Sequence, residues 1–181
     1  MRTASLTVRP SADADLLAIG EIYAHAVKHG TSSFEITAPD LGEMTRRRTD
    51  VLAKGLPWLV AQVGSQVVGY AYAGPFRARP AYRFTVEDSI YIHPQAQGKG
   101  VGRALLAELL ARCECAGARQ MLAVIGDSNS QASIALHRAL GFEDCGVLKS
   151  VGWKFGRWLD VVTMQRSLVT GNTTAAPGGL G

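Results

Sequence analysis

The sequence predicts a single mixed α/β domain with a central sheet, and three features lead to that class. Strand-like alternation and helical spacing of apolar residues follow one another in the order β-α-α-β-β-β-α-β-α-β-β. A length of 181 residues, 47% of them hydrophobic, fits one domain with a sizeable core. No internal repeat or interdomain linker interrupts the pattern. The domain is therefore expected over residues 1–168, with a disordered tail over 169–181, where the residues turn small, polar and glycine-rich.

Residues 5–10 alternate and give the first strand. Pro10, Ser11, Ala12 and Asp13 offer turn and cap residues. Leu16, Ile19, Ile22, Tyr23, Ala26 and Val27 then recur at helical spacing over 13–28, and Gly30 closes that helix. A loop over 31–39 holds one aromatic, Phe34, and a second helix runs over about 41–54, ended by Gly55. Residues 58–63 and 66–73 flank Gly64-Ser65 and read as a β-hairpin with a glycine-led tight turn. A basic, proline-containing loop over 74–82 leads to a long alternating strand, 84–93. The helix over 102–117 buries Leu105, Leu106, Leu109 and Leu110. The short apolar run 121–125 reads as a strand buried on both faces. A helix over 130–140 stops at Gly141, and 142–150 and 158–166 form the last two strands.

Composition narrows the function. No apolar run approaches the roughly 20 residues that span a bilayer, and Arg2-Thr3 lead into short alternating residues with no signal-peptide core. The expectation is a cytoplasmic protein with no membrane partner. The formal net charge is +4, and no basic cluster argues for nucleic acid. Cys113, Cys115 and Cys145 form an odd set without metal spacing and read as reduced thiols, so no metal is expected. Cys113 and Cys115 are two apart on a helix and face different sides.

The chemistry starts at Gln97-Gly98-Lys99-Gly100-Val101-Gly102-Arg103, between a strand and an apolar helix. Glycines there leave backbone N–H groups bare, and a helix N-terminus adds positive potential, which is how a chain holds a pyrophosphate. A dinucleotide fingerprint needs G-x-G-x-x-G, but the sixth position is Arg103 counted from Gly98 and Leu105 counted from Gly100. A Walker loop needs Ser or Thr after its Lys, and Lys99 is followed by Gly100. The spacing Gln-x-x-Gly-x-Gly resembles the acyl-CoA signature of the GCN5-related N-acetyltransferases. That resemblance covers about residues 6–168. It implies a mixed, mostly antiparallel sheet whose strands 84–93 and 121–125 splay apart around acetyl-CoA. The backbone of Ile90, Tyr91 and Ile92 would run beside the pantetheine, with Gln97 to Arg103 on the pyrophosphate.

The strand 84–93 divides by face. Thr85, Glu87, Ser89, Tyr91 and His93 share a polar side, which suggests a lined cleft. Phe84, Val86, Ile90 and Ile92 share the other side with Asp88. An amine arrives mainly as an ammonium and must lose a proton before it attacks a thioester, and an acid helps expel the thiolate. Glu87 lies ten residues before Gln97 and is placed to act as base, directly or through water. Asp88 on an apolar face would be costly unpaired. It is expected to pair with an arginine or lie at a sheet edge, and no chemistry is assigned to it.

The run from Asn129 to Phe142 resembles the second block of the same superfamily, ending in Leu140-Gly141-Phe142. By that resemblance Asn129 hydrogen-bonds the pantetheine arm, Ser133 lies near it, and His137 stands where many relatives carry a tyrosine that protonates the thiolate. Ser133 and His137 are four apart and share a helix face. Whether His137 acts as acid or base is open.

Three further segments, 71–87, 124–129 and 152–161, resemble the phosphinothricin N-acetyltransferases and their methionine sulfoximine and methionine sulfone acetylating relatives, which are small homodimers. The resemblance implies direct acetyl transfer from acetyl-CoA to the α-amino group of such an amino-acid analogue. It places Phe34, Arg77, Arg79, Tyr82, Ser89 and Tyr91 around the substrate, and Glu87 and His137 at catalytic positions. Arginine forks suit carboxylate or phosphinate oxygens. Two alternatives stay open: another amine, such as a polyamine, an aminoglycoside or a protein N-terminus, and a non-enzymatic acyl-CoA-binding module. Trp153, Lys154 and Trp158 are left between pocket, dimer surface and sheet support.

Overall fold

A computed structural model describes residues 5–175. One seven-stranded sheet organises the chain in the order β1-β2-β3-β4-β5-β7-β6. Its strands are β1 (Leu6–Pro10), β2 (Trp58–Val63), β3 (Gln66–Pro75), β4 (Thr85–Ile92), β5 (Gln120–Gly126), β6 (Glu143–Lys154) and β7 (Arg157–Ser167). Every neighbouring pair is antiparallel except β4 and β5, which run parallel. Helices α1 (Leu16–His29) and α2 (Leu41–Ala53) precede β2, α3 (Val101–Cys115) joins β4 to β5, and α4 (Gln131–Ala139) follows β5. The fold class, the element order and the mixed sheet agree with the sequence reading.

Local chemistry sets the element ends. Asp15 accepts from the Ala12 N–H and from Arg9, which keeps residues 13–15 as a 3-10 turn and delays α1 to Leu16. Asp40 caps α2 by accepting from the Glu43 N–H at 2.8 Å. Past Leu168 the chain turns, with the Thr174 hydroxyl accepting from Arg119 at 2.8 Å. The rest of the segment expected to be disordered, residues 176–181, lies outside the described residues.

Two apolar cores sandwich the sheet. On one face Ile19, Ile22, Val27, Met44 and Val51 of α1 and α2 pack on Trp58, Val60 and Tyr70. On the other, Leu105, Leu106, Leu109 and Leu110 of α3 pack on Leu59, Ala71, Val86 and Met121, as the leucine spacing predicts. Burying such side chains is the main favourable term in folding, at about 25 cal/mol per Å².

The strand β5 departs from expectation, because it is not buried on both faces. Met121, Ala123 and Ile125 are buried, but Leu122 is half-buried and Val124 is exposed. Helices α1 and α2 pack on β2, β3 and β4 and stop short of β5, so this face of β5 becomes the wall of a cleft.

Candidate active site

The cleft follows from the one parallel pairing. Strands β4 and β5 are in register from Thr85↔Gln120 to Asp88↔Ala123 and no further. Beyond Asp88, β4 continues to Ile92 paired only with β3, and β5 continues to Gly126 paired only with β7. A cavity of about 1100 Å³ occupies the opening. That is just above the roughly 300–1,000 Å³ typical of ligand pockets and suits an elongated ligand. Ser89, Ile90, Tyr91 and Ile92 form one wall, and Ala123 to Gly126 form the other.

One end of the cleft is the glycine loop. Gly98 and Gly100 adopt φ of 73° and 80°, a left-handed backbone that a side chain resists. Gly100 is the N-cap of α3, and no side chain caps that helix, so its first N–H groups face outward, where an anion can accept from them. Gln97, Gly98, Gly100, Val101, Gly102 and Arg103 all line the cavity, whereas the exposed Lys99 does not. A Cβ on Gly102 would stand 3.1 Å from Leu136, so glycine lets α3 approach α4 closely there.

The other end holds Glu87. Its carboxyl is half-buried, and burial, reinforced by the neighbouring Asp88 charge, raises its pKa above the ordinary carboxylate range. Ser89 and Tyr91 share its face and pair across to Tyr72 and Tyr70. Tyr91 stacks on Tyr70 at 5.2 Å and meets the edge of Tyr23 at 4.9 Å, and Trp58 stacks on Tyr72 at 4.2 Å. Tyr72, Tyr23, Ser33 and Glu35 line the cavity and were missed in the sequence. Tyr72 was legible as the cross-strand neighbour of Ser89, but Tyr23 needed the packing of α1 on β4, and Ser33 and Glu35 needed the tertiary path of the loop after α1.

That loop is fastened to the far side of the sheet. Lys154, only 5% exposed, donates to the carbonyls of Gly30 and Ser33 at 2.9 and 2.6 Å. The Tyr23 and Ser33 hydroxyls are hydrogen-bonded at 2.9 Å. The Phe34 ring rests over Gly126 and Gly152, where any Cβ would collide with it. Glu35 is paired with Arg47 at 2.7 Å. Lys154 thus fastens the pocket loop, a role apart from pocket lining, dimer surface and sheet support.

At the fork between β4 and β5, Asp88 meets His137. The His137 Nε2 lies 3.1 Å from Asp88 Oδ2, with side chains 4% and 3% exposed. This corrects the expectation for Asp88, which sits on a central strand and pairs with a histidine, because α4 drops its inner face onto the fork. On its other nitrogen His137 donates from Nδ1 to the Ser133 carbonyl at 2.8 Å. Burial alone would push the His137 pKa down, but the bonds and charge from Asp88 and the Ser133 carbonyl outweigh it and leave the pKa raised. Ser133 and His137 both line the cavity from one face of α4, as their spacing predicts.

Not every predicted residue reaches the cleft. Arg77, Arg79 and Tyr82 lie outside it, on the loop between β3 and β4, where Arg77 stacks over Phe76 and Tyr82 at 4.9 and 5.5 Å. Their loop leaves the sheet at the Glu87 end, since Gly74 pairs with Glu87 and Pro75 with Val86. Asn129 is exposed and outside the lining, and its N–H is held by Asp127 Oδ1 at 3.0 Å. Phe34, Ser89, Tyr91, Ile90 and Ile92 do line it.

Comparison with known proteins agrees with this geometry. Residues 21–142 match the model of the acetyltransferase (GNAT) family. The chain is 57% identical over 168 residues to a phosphinothricin N-acetyltransferase of Alcaligenes faecalis, covering 93% of this chain and 85% of that protein. It is 40% identical to an L-methionine sulfoximine/L-methionine sulfone acetyltransferase of Salmonella typhimurium, covering 90% and 95%. A crystal structure of a phosphinothricin acetyltransferase from Sinorhizobium meliloti in complex with acetyl-CoA superposes with a TM-score of 0.93 at 50% identity, covering 96% of this chain and 94% of that one.

Proposed function

The chain belongs to the acetyltransferase (GNAT) family and is an acetyl-CoA-dependent N-acetyltransferase; from that premise we propose that it acetylates the α-amino group of a small amino-acid analogue of the phosphinothricin or methionine sulfoximine type. One observation carries the reading. A half-buried carboxyl, Glu87, stands at one end of a cleft whose other end is an uncapped helix N-terminus. Acetyl-CoA fits that cleft: N–H groups from Gly98 to Arg103 hold the pyrophosphate, and Ile90 to Ile92 edge the pantetheine. The relatives at 57% and 40% identity supply the substrate class.

Glu87 takes the proton of the arriving ammonium, and the free amine attacks the thioester carbonyl directly. Alignment by the walls is worth up to roughly 7–11 kcal/mol, and acid–base help adds about 10²–10⁴-fold. Phe34 packs the methylene chain, and Ser89 and Tyr91 flank the amine. Arg77, Arg79 and Tyr82 meet the carboxylate or phosphinate from the loop that leaves the sheet beside Glu87. Asn129 and Ser133 attend the pantetheine arm, and His137 takes the second catalytic position, as acid or base. Acetylation of phosphinothricin removes the amine its target needs, so herbicide resistance follows as a capability. The protein is proposed to work in the cytoplasm as a homodimer through β6 and β7, where Leu148, Val151, Trp153, Phe155 and Trp158 are exposed.

A second reading has one observation in its favour. The Glu87 end is lined by Glu35 and Glu87, and the only lysine or arginine among the described lining residues is Arg103 at the other end. That field favours a polycationic amine. The deciding experiment measures CoA release with a thiol-reactive dye from phosphinothricin, methionine sulfoximine, methionine sulfone, spermidine and an aminoglycoside, with wild type and Glu87→Gln. Faster turnover of spermidine or the aminoglycoside than of every amino-acid analogue would sink the first reading.

A further inference from the structure

We propose that Asp88 is a positioning residue for acetyl transfer: it holds His137 doubly protonated, so that His137 serves on the acid side and Glu87 is the only base. The proposal rests on the acetyltransferase reading above and settles the acid-or-base question for His137 from the two ends of its ring.

The argument is one of donors and acceptors. A backbone carbonyl only accepts, so the 2.8 Å contact to the Ser133 oxygen requires a proton on Nδ1. The opposite nitrogen, Nε2, faces an Asp88 oxygen at 3.1 Å. A bare Nε2 would oppose its lone pair to a carboxylate oxygen in a site almost closed to water, with side chains 4% and 3% exposed. A proton between Nε2 and Oδ2 removes that conflict. The other Asp88 oxygen, Oδ1, is buried without a hydrogen-bond partner among the described residues, so the ring is the group that offsets this carboxylate. The ring is packed edge-on against Phe142 at 5.0 Å, which fixes its plane.

Other titratable groups near the pair do not supply a competing proton. Glu87 precedes Asp88 on β4 and points to the opposite face of the sheet. The Cys113 thiol of α3 is pushed up to about 12 by burial, with Asp88 and Glu114 adding to it, and stays neutral. With both ring nitrogens carrying hydrogen, His137 has no lone pair to receive an amine proton. When the carbon–sulfur bond breaks, its electron pair goes to sulfur, which takes a proton from the Asp88–His137 pair lining the cleft. The amine proton leaves through Glu87, and once CoA departs and the cleft opens, the lone pair left facing Asp88 draws a proton back onto the ring.

Two measurements test this. The imidazole ¹⁵N spectrum of the whole protein distinguishes the forms, and His137→Gln identifies the signal among the four histidines. Both ring nitrogens of His137 should read as protonated at a pH just above the ~6.5 of a free histidine. A bare Nε2 at that pH would overturn the proposal, whatever amine the enzyme uses. In the second, Asp88→Asn keeps the shape and removes the charge. The alkaline limb of kcat should move to lower pH, because the Asp88 charge and hydrogen bond that raise His137 are gone. The acid limb should also move to lower pH, because Asp88 raises Glu87 as well. A uniform loss of kcat with both limbs in place would mean a merely structural role and would also overturn it. If no amine is turned over, the spectrum still decides.

Discussion

Gly152→Ala tests how the pocket loop is held. Gly152 lies on β6 with Leu159 as its cross-strand partner, and its φ is not positive, so alanine brings no backbone strain there. The effect is steric. A new Cβ would stand 2.6 Å from Cδ2 and 2.9 Å from Cζ of Phe34, with Cε2 nearer still. Carbons rest at about 3.5–4.0 Å, so the ring must retreat by about 1 Å. It cannot slide toward β5, because Cε1 already sits where a Cβ on Gly126 would be 2.8 Å away. It can only lift outward, which Phe34, 37% exposed, is free to do. Overpacking costs roughly 1–3 kcal/mol, and an outward escape puts this case near ~1 kcal/mol. In a chain of this length that lowers Tm by about 2–4 °C. The larger consequence is functional, because Ser33 and Glu35 move with the ring. KM for the amine should rise about tenfold, equivalent to ~1.4 kcal/mol, while KM for acetyl-CoA stays put. Thermal melts and initial rates against each substrate measure both. The control is Phe34→Ala, which vacates the space, so adding Gly152→Ala should then cost less than about 0.5 kcal/mol. Equal losses in the two backgrounds would refute the contact as the cause.

Three further outcomes follow from the same geometry. Glu87→Gln should lower kcat by about 10²–10⁴-fold at neutral pH; in the wild type the carboxylate is needed and its pKa is raised, so kcat should decline with falling pH above the ordinary carboxylate range, and a profile flat to that range would count against Glu87 as base. Gly100→Ala forces a side chain into a φ of 80°, with open space around it, so it should raise KM for acetyl-CoA without touching that for the amine. Lys154→Met strands two carbonyls that the ammonium now satisfies, at about 1–3 kcal/mol each before water reaches them, and chemical denaturation should show a loss of at least about 1 kcal/mol.

What the sequence made legible was whatever is encoded along one element. The two-residue period of β4 placed Glu87, Ser89 and Tyr91 on one face, and all three line the cavity. The four-residue step from Ser133 to His137 placed both on the inner side of α4. The glycine run at α3 needed only its position between a strand and a helix. The apolar run of β5 misled, because composition cannot say that the helices covering β4 end before the next strand. Nor could spacing show that the loop after α1 crosses the sheet to Lys154, residues more than a hundred positions apart.

Asp88 shows why the remainder was out of reach, and where the fold and the chemistry meet. A carboxylate on an apolar face looks like an error until something answers it, and the answer sits 49 residues later on α4. The fork between β4 and β5 makes that encounter possible: the last paired residues are Asp88 and Ala123, and the strands part just beyond them. The parting that opens the cleft therefore also brings the floor of α4 against the buried carboxylate. Glu87, the next residue back, points to the other face and feels the same charge through the strand. Two adjacent acids on one strand thus take opposite sides of the sheet, one on the face of Ser89 and Tyr91 and one facing the imidazole. Replacing Asp88 should disturb both, and only a paired shift of the acid and alkaline limbs would show it.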